Sequence, residues 1–306
     1  MYFYILIFGC FVSFPIAALQ FNCENSKKID TDKITSYISQ IESQNDSLLI
    51  NGKLVSSKSK TYEKLFKNCI DNRQSFRELS TQELHKVYKS IHTIAFYTSN
   101  IAHVNYMEAV LDEAIKRGEK NKSQLNEMYR AYVQIRQFKQ ANQLKKQHPD
   151  TDLSQLPTIK GNEVEERSLL FIEQDGKVLA QKPYIFSQGA QIIVISSPIC
   201  GSSRAYLSWL QTKPELLSVF ESYSTWIMPV TGRLYIDEVV ESNKKNASIK
   251  MAYTYKESDW PEISYWGTPT FYFYLDGKLR QQIVGWPKEG REKELKQALK
   301  DIGLLS

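Results

Sequence analysis

Cysteine is scarce in this sequence: four residues among 306, at positions 10, 23, 69 and 200, with no Cys-x-x-Cys pair. That count and spacing exclude a disulfide-dense scaffold and a zinc knuckle. Charge of one sign is in small excess only, since 39 Lys and Arg against 34 Asp and Glu leave +5. The short basic stretch at Lys139, Lys145 and Lys146 has no interleaved aromatic platform, so a nucleic-acid partner is not implied. Histidine is limited to His85, His92, His103 and His148, and no third ligand accompanies any pair at metal-binding spacing; no metal and no cofactor is expected. What is present is a globular composition, 42% apolar or aromatic against 24% charged, in a chain long enough for one large domain or two medium ones.

No charged residue occurs from Met1 to Cys23. Tyr2 to Phe14 is almost wholly apolar and is followed by Pro15 and the small pair Ala17-Ala18, the shape of a secretory signal peptide over residues 1–18. The run also approaches the about 20 residues that span a bilayer, so an uncleaved anchor stays open as the one membrane association the sequence suggests. Either reading places the rest of the chain in the periplasm or outside the cell, where exposed thiols oxidise. After cleavage Cys23, Cys69 and Cys200 remain. Cys23 and Cys69 are expected to pair, closing a loop of roughly 45 residues worth about 3 to 4 kcal/mol on the chain-entropy model. Three buried free thiols are the alternative, and a bond from Cys200 to either of the others would be structural or regulatory.

Residues 19–150 are expected to form a helical domain. Ser80-Thr81-Gln82-Glu83 is a capping box ahead of Leu84, Val87, Tyr88, Ile91, Ile94 and Ala95, spaced three and four apart, and residues 30–150 show helical periodicity throughout. Tyr106-x-x-Ala109 recurs as Phe138-x-x-Ala141, the latter preceded by Leu125, Met128 and Tyr132. These spacings resemble a tetratricopeptide helix pair, and an ordinary bundle with small residues at its crossings accounts for them equally. Residues 151–166 are polar and aperiodic, as in a linker. From 167 to 306 the period changes to two: apolar runs flank Gln174-Asp175-Gly176 and Asp276-Gly277 as hairpins, Ile192 to Ile195 is a buried β-branched strand, and helices follow at 202–210, from Pro214, and at 288–302. The order is that of an α/β domain with a mixed sheet flanked by helices.

Two stretches of this second half resemble the thioredoxin-like superfamily, in its exported TlpA-type and Dsb-type branch. In Ile192-Ile193-Val194-Ile195-Ser196-Ser197-Pro198-Ile199-Cys200-Gly201-Ser202-Ser203 a hydrophobic strand ends in a loop and a cysteine opens a helix. Trp266-Gly267-Thr268-Pro269-Thr270, with Asp276-Gly277-Lys278 and Gly285 after it, is similar to the family's cis-proline strand and hairpin. A cysteine at a helix N-terminus faces unpaired N–H groups and the positive end of the dipole, both of which favour thiolate, and Arg204 adds a cation on the first turn. Cys200 is therefore the candidate nucleophile. The resemblance implies that Thr268, Pro269 and Trp266 dock substrate.

The departures from the pattern set the expected activity. Ser203 stands where the family has its resolving cysteine, and Val194 stands where thioredoxins carry a buried carboxylate. A dithiol reductase cycle is blocked. What remains is a monothiol protein that exchanges disulfides with, or captures, an exported protein or thiol partner; the alternative is a thioredoxin-fold scaffold whose groove binds without catalysis. Whether the chain is an enzyme stays open.

Overall fold

The computed structural model describes residues 21, 23, 28–44, 47–50, 53–56, 58–71, 76–161, 167–186 and 188–306; the expected signal segment 1–18 lies outside them. In the N-terminal half, side-chain caps set where several helices begin. α1 (Thr31–Glu42) starts at Asp30, whose carboxylate accepts from the Lys33 N–H. After an antiparallel pair, β1 (Ser47–Ile50) and β2 (Lys53–Ser56), comes α2 (Lys58–Cys69). α3 (Thr81–Thr98) opens on the capping box, with Ser80 Oγ accepting from the Glu83 N–H and the Glu83 carboxylate accepting from the Ser80 N–H. Asn100 and Asn121 cap α4 (Ile101–Lys116) and α5 (Lys122–Gln134), and α6 (Phe138–Gln147) follows. Each side-chain cap contributes about 1 kcal/mol.

The stripe Leu84, Val87, Tyr88, Ile91, Ile94 and Ala95 is buried, as its spacing requires, and shares a core with Val104, Met107, Leu125 and Met128. The two Tyr/Phe-x-x-Ala segments pack differently: Ala141 is fully buried while Ala109 is exposed. Cys23 and Cys69 stand at disulfide-bonding distance, their Cα atoms 5.1 Å apart, tying the segment before α1 to the end of α2. The β1–β2 pair departs from the helical expectation for residues 30–150. Its cause is local: Asn51-Gly52 separates two apolar runs, the sequence a two-residue hairpin prefers.

The C-terminal half contains β3 (Thr158–Lys160), β4 (Ser168–Glu173), β5 (Val178–Pro183), β6 (Ala190–Ile195), α7 (Gly201–Gln211), α8 (Pro214–Tyr223), β7 (Ser224–Met228), α9 (Ile236–Lys245), β8 (Met251–Thr254), β9 (Thr270–Leu275), β10 (Lys278–Val284) and α10 (Glu292–Asp301). Among the described residues the strands order as β10-β9-β6-β7-β8-β4-β5-β3. β6 runs parallel to β7 and antiparallel to β9, so the sheet is mixed. Alternation along β6 serves two cores. Ile192 and Val194 join Tyr206, Phe220, Trp226 and Phe271, whereas Ile193 and Ile195 join Leu169, Ile227, Tyr272 and Trp260 on the other face. Asp276 and Gly277 both take positive φ, 52° and 71°, as a tight hairpin turn demands.

The polar stretch between the halves contributes to the fold over its described residues. Thr158–Lys160 adds an edge strand parallel to β5, and just before it Leu153 and Leu156 are buried. The Tyr129 hydroxyl donates to the Ser154 carbonyl, and the Leu156 N–H donates to Asn142 Oδ1. The molecule is thus a mainly helical half followed by an α/β half with a helix-flanked mixed sheet.

Candidate functional site

β6 delivers the chain to the site and α7 receives it. The Ser196 N–H still pairs with the Ile227 carbonyl; the chain then turns through Ser197-Pro198-Ile199, closed by a bond from the Cys200 N–H to the Ser197 carbonyl at 3.1 Å. Cys200 is the N-cap of α7, extended at φ −78° and ψ 122°, and its carbonyl accepts the helix's first bond from the Arg204 N–H. Rings hold α7 against the sheet. Tyr206, fully buried, meets Phe271 at 4.5 Å and Trp286 at 4.8 Å between centroids, with Trp226 stacked at 5.9 Å.

The second wall is the chain entering β9. The Thr268–Pro269 bond is cis. Upstream, a Cβ on Gly267 would meet the far end of the Tyr265 ring at 2.2 Å, so any side chain there would displace that ring. The Thr270 hydroxyl donates to the Gly267 carbonyl and the Gly285 N–H donates to the Pro269 carbonyl, fixing both ends of the cis dipeptide.

These walls meet at sulfur. Cys200 is a half-buried free thiol whose Sγ donates to the Thr268 carbonyl oxygen at 3.2 Å. Partial burial pushes the thiol's pKa up, but bonds from the Thr268 side chain, the Ser203 N–H and hydroxyl, and the Ser202 N–H outweigh it and hold the group below its ordinary value. The Thr268 carbonyl works the other way, because an acceptor stabilises the protonated thiol.

The remaining expected residues divide. Ser203, one turn along α7 and buried, accepts from the Ser197 N–H at 3.5 Å. Arg204 turns its guanidinium to the Pro198 carbonyl at 3.0 Å, and hydrogen-bond donors account for the thiol's shift. Val194 is sealed in the core. Trp266 packs on the face of the sheet opposite α7, edge-on to Trp260 at 6.5 Å. Cys23 and Cys69 pair with each other and stand apart from Cys200.

Two features escaped the sequence. At the junction of the halves, Arg136 is buried with a left-handed backbone, φ 62°, and donates to the Thr254 carbonyl at 2.8 Å. Beside it Glu257 accepts from the Val230 N–H at 2.9 Å; burial pushes its carboxyl up to about 7, against the opposing pull of that N–H and of Arg136. The second feature is a groove of about 390 Å³ between α3, α5 and the loop after β7, which reaches Ile199, the neighbour of Cys200. Only tertiary structure gathers these residues, so no local motif announces them.

No family model matches the chain, and a search of curated proteins finds no match. Among solved structures, the crystal structure of a thioredoxin-like protein from Bacteroides caccae is similar over 79% of this chain and 93% of its own length, at 14% sequence identity and a TM-score of 0.28.

Proposed function

We propose that this chain is an exported monothiol protein that exchanges disulfides with, or captures, an exported partner through Cys200. The Cys200 thiolate attacks one sulfur of a partner disulfide. A new S–S bond forms to Cys200, the partner's S–S bond breaks, and the departing sulfur leaves as a thiolate that takes a proton from water. With Ser203 in the resolving position, release requires an external thiol, either a second cysteine of the partner or a low-molecular-weight thiol. That thiol attacks the mixed disulfide and returns Cys200 as thiolate. The observation that carries this reading is the half-buried free Sγ at the mouth of α7, held below its ordinary pKa by hydrogen-bond donors. Export is supported by the uncharged apolar stretch before Cys23 and by the Cys23–Cys69 pair, which suits an oxidising compartment.

A thioredoxin-fold scaffold is the second reading, and the carbonyl that accepts the thiol proton favours it. Alkylation of the native chain by iodoacetamide, followed by intact mass against pH, separates the two. Exchange chemistry requires labelling of Cys200 at pH 7 faster than of a free cysteine. Labelling slower than that standard leaves the scaffold.

A further inference from the structure

The groove beside Ile199 has a composition that selects its occupant. Phe96, on α3, and Ile199 are exposed apolar side chains, 56% and 43% accessible, and both line it. Arg130, on α5, and Arg233, in the loop after β7, line it too, with His92 on α3 and no carboxylate in the lining. Neither guanidinium has a carboxylate partner among the described residues. Glu127 acts on His92 from α5 but does not line the groove.

The groove is built rather than incidental. Gly232 comes so close to α5 that a Cβ there would meet Arg130 Cβ at 2.8 Å, which fixes the loop against the helical half. Gln134 donates to the Phe96 carbonyl at 2.6 Å and to Ser99 Oγ at 2.7 Å, tying the end of α3 to α5 and setting where Phe96 stands. Both halves of the molecule therefore contribute walls to one trough, whose lining includes Ile199, the residue before Cys200.

We infer that this groove docks an acidic segment of the polypeptide whose sulfur Cys200 attacks, with carboxylates on Arg130 and Arg233 and an apolar residue against Phe96 and Ile199. The inference rests on the exchange reading for its sulfur chemistry and adds the class of partner. Two unpaired cations in a trough lacking anions raise the local concentration of acidic peptide and speed its encounter. The apolar side chains supply contact area that a freely hydrated charge patch lacks.

The test uses the full chain and two synthetic peptides, each with one cysteine held as a mixed disulfide with thionitrobenzoate. They are identical except that Asp and Glu beside the cysteine in one are Asn and Gln in the other. Attack of Cys200 on the peptide sulfur releases coloured thionitrobenzoate. The acidic peptide is expected to react about tenfold faster at low salt, with the ratio falling to about one in Arg130→Gln/Arg233→Gln and at 1 M salt, where the Debye length is about 3 Å. Arg233→Gln alone, on an exposed loop, covers failure of the double variant to fold and is expected to reduce the ratio part way. Equal rates for the two peptides in the wild-type chain overturn the groove and leave the thiol chemistry standing. Should neither peptide react, the exchange reading has failed, and anisotropy of labelled cysteine-free versions decides the groove: a preference for the acidic peptide that Arg233→Gln diminishes sustains it, and no preference overturns it.

Discussion

Cys200 Sγ and the carbonyl oxygen of Thr268 lie 3.2 Å apart, although 68 positions separate the two residues in the chain. The contact gives the thiol an acceptor that resists ionisation, facing donors from Thr268, Ser202 and Ser203 that promote it. Reactivity is thus set by a balance of identifiable groups, each of which can be removed.

Thr268→Val and Ser203→Ala each delete one hydroxyl that favours the charged sulfur. With fewer donors the neutral thiol gains, so the midpoint of a rate-against-pH curve for Cys200 alkylation rises in both variants and labelling at pH 7 slows by a factor of a few. An unmoved midpoint in both would assign the shift to the backbone N–H groups alone. Cys200→Ser abolishes labelling and mixed-disulfide formation altogether.

Ser203→Cys tests whether the resolving position is the missing part. Position 203 lies one turn along α7 from Cys200 and is buried beneath it. Oxidation is expected to join the two sulfurs, lowering the mass by two hydrogens and blocking Cys200 alkylation, and with dithiothreitol to regenerate the dithiol the variant is expected to reduce insulin disulfides with turnover. A variant that folds but never closes the bond would show that the local geometry no longer suits dithiol chemistry.

Much of this site can be read from local sequence because its parts are local. A strand and loop leading to a cysteine at a helix start, a Thr-Pro before an aromatic strand and an Asp-Gly turn each specify short-range geometry, and Cys200 and Thr268 meet because β6 and β9 are neighbours. What escaped depends on association across the chain. Arg136 carries no signal that its guanidinium ends at Thr254, on a strand of the other half. His92, Arg130 and Arg233 have ordinary sequence surroundings, and only the docking of α3 and α5 beside the loop after β7 brings them together. The β1–β2 hairpin was different, because Asn51-Gly52 between apolar runs is a legible signal that the surrounding helical periodicity outweighed.

Cys69→Ser removes the tie between the segment before α1 and the end of α2. The 46-residue separation predicts a loss of about 4 kcal/mol on the chain-entropy model, read as a lower denaturation midpoint, with free Cys23 becoming alkylable after unfolding. A loss below about 1 kcal/mol, at the low end of the range for such bonds, would mean that the cross-link does not restrain the unfolded chain as loop closure requires.

The Arg136–Glu257 junction makes stability depend on pH in a direction opposite to that of an ordinary paired carboxylate. Folding raises the Glu257 carboxyl from its usual 4.5 to about 7, so between those values the folded chain holds more proton than the unfolded one. Stability contributed by this group is full at the acid end of that window and is lost as pH rises through it. His92 and His103, whose pKa values burial depresses, work in the reverse sense, so the informative quantity is wild type minus Glu257→Gln, measured by urea denaturation across the window. That difference is expected to decline with rising pH. Arg136→Met removes a cation that holds the Glu257 carboxyl down, so the decline starts at the same pH and extends to higher pH, with an overall loss of about 2 kcal/mol from leaving the buried Thr254 carbonyl without its charged donor. A flat difference would show that Glu257 stays hydrated and that the two halves are joined without an ionisable latch.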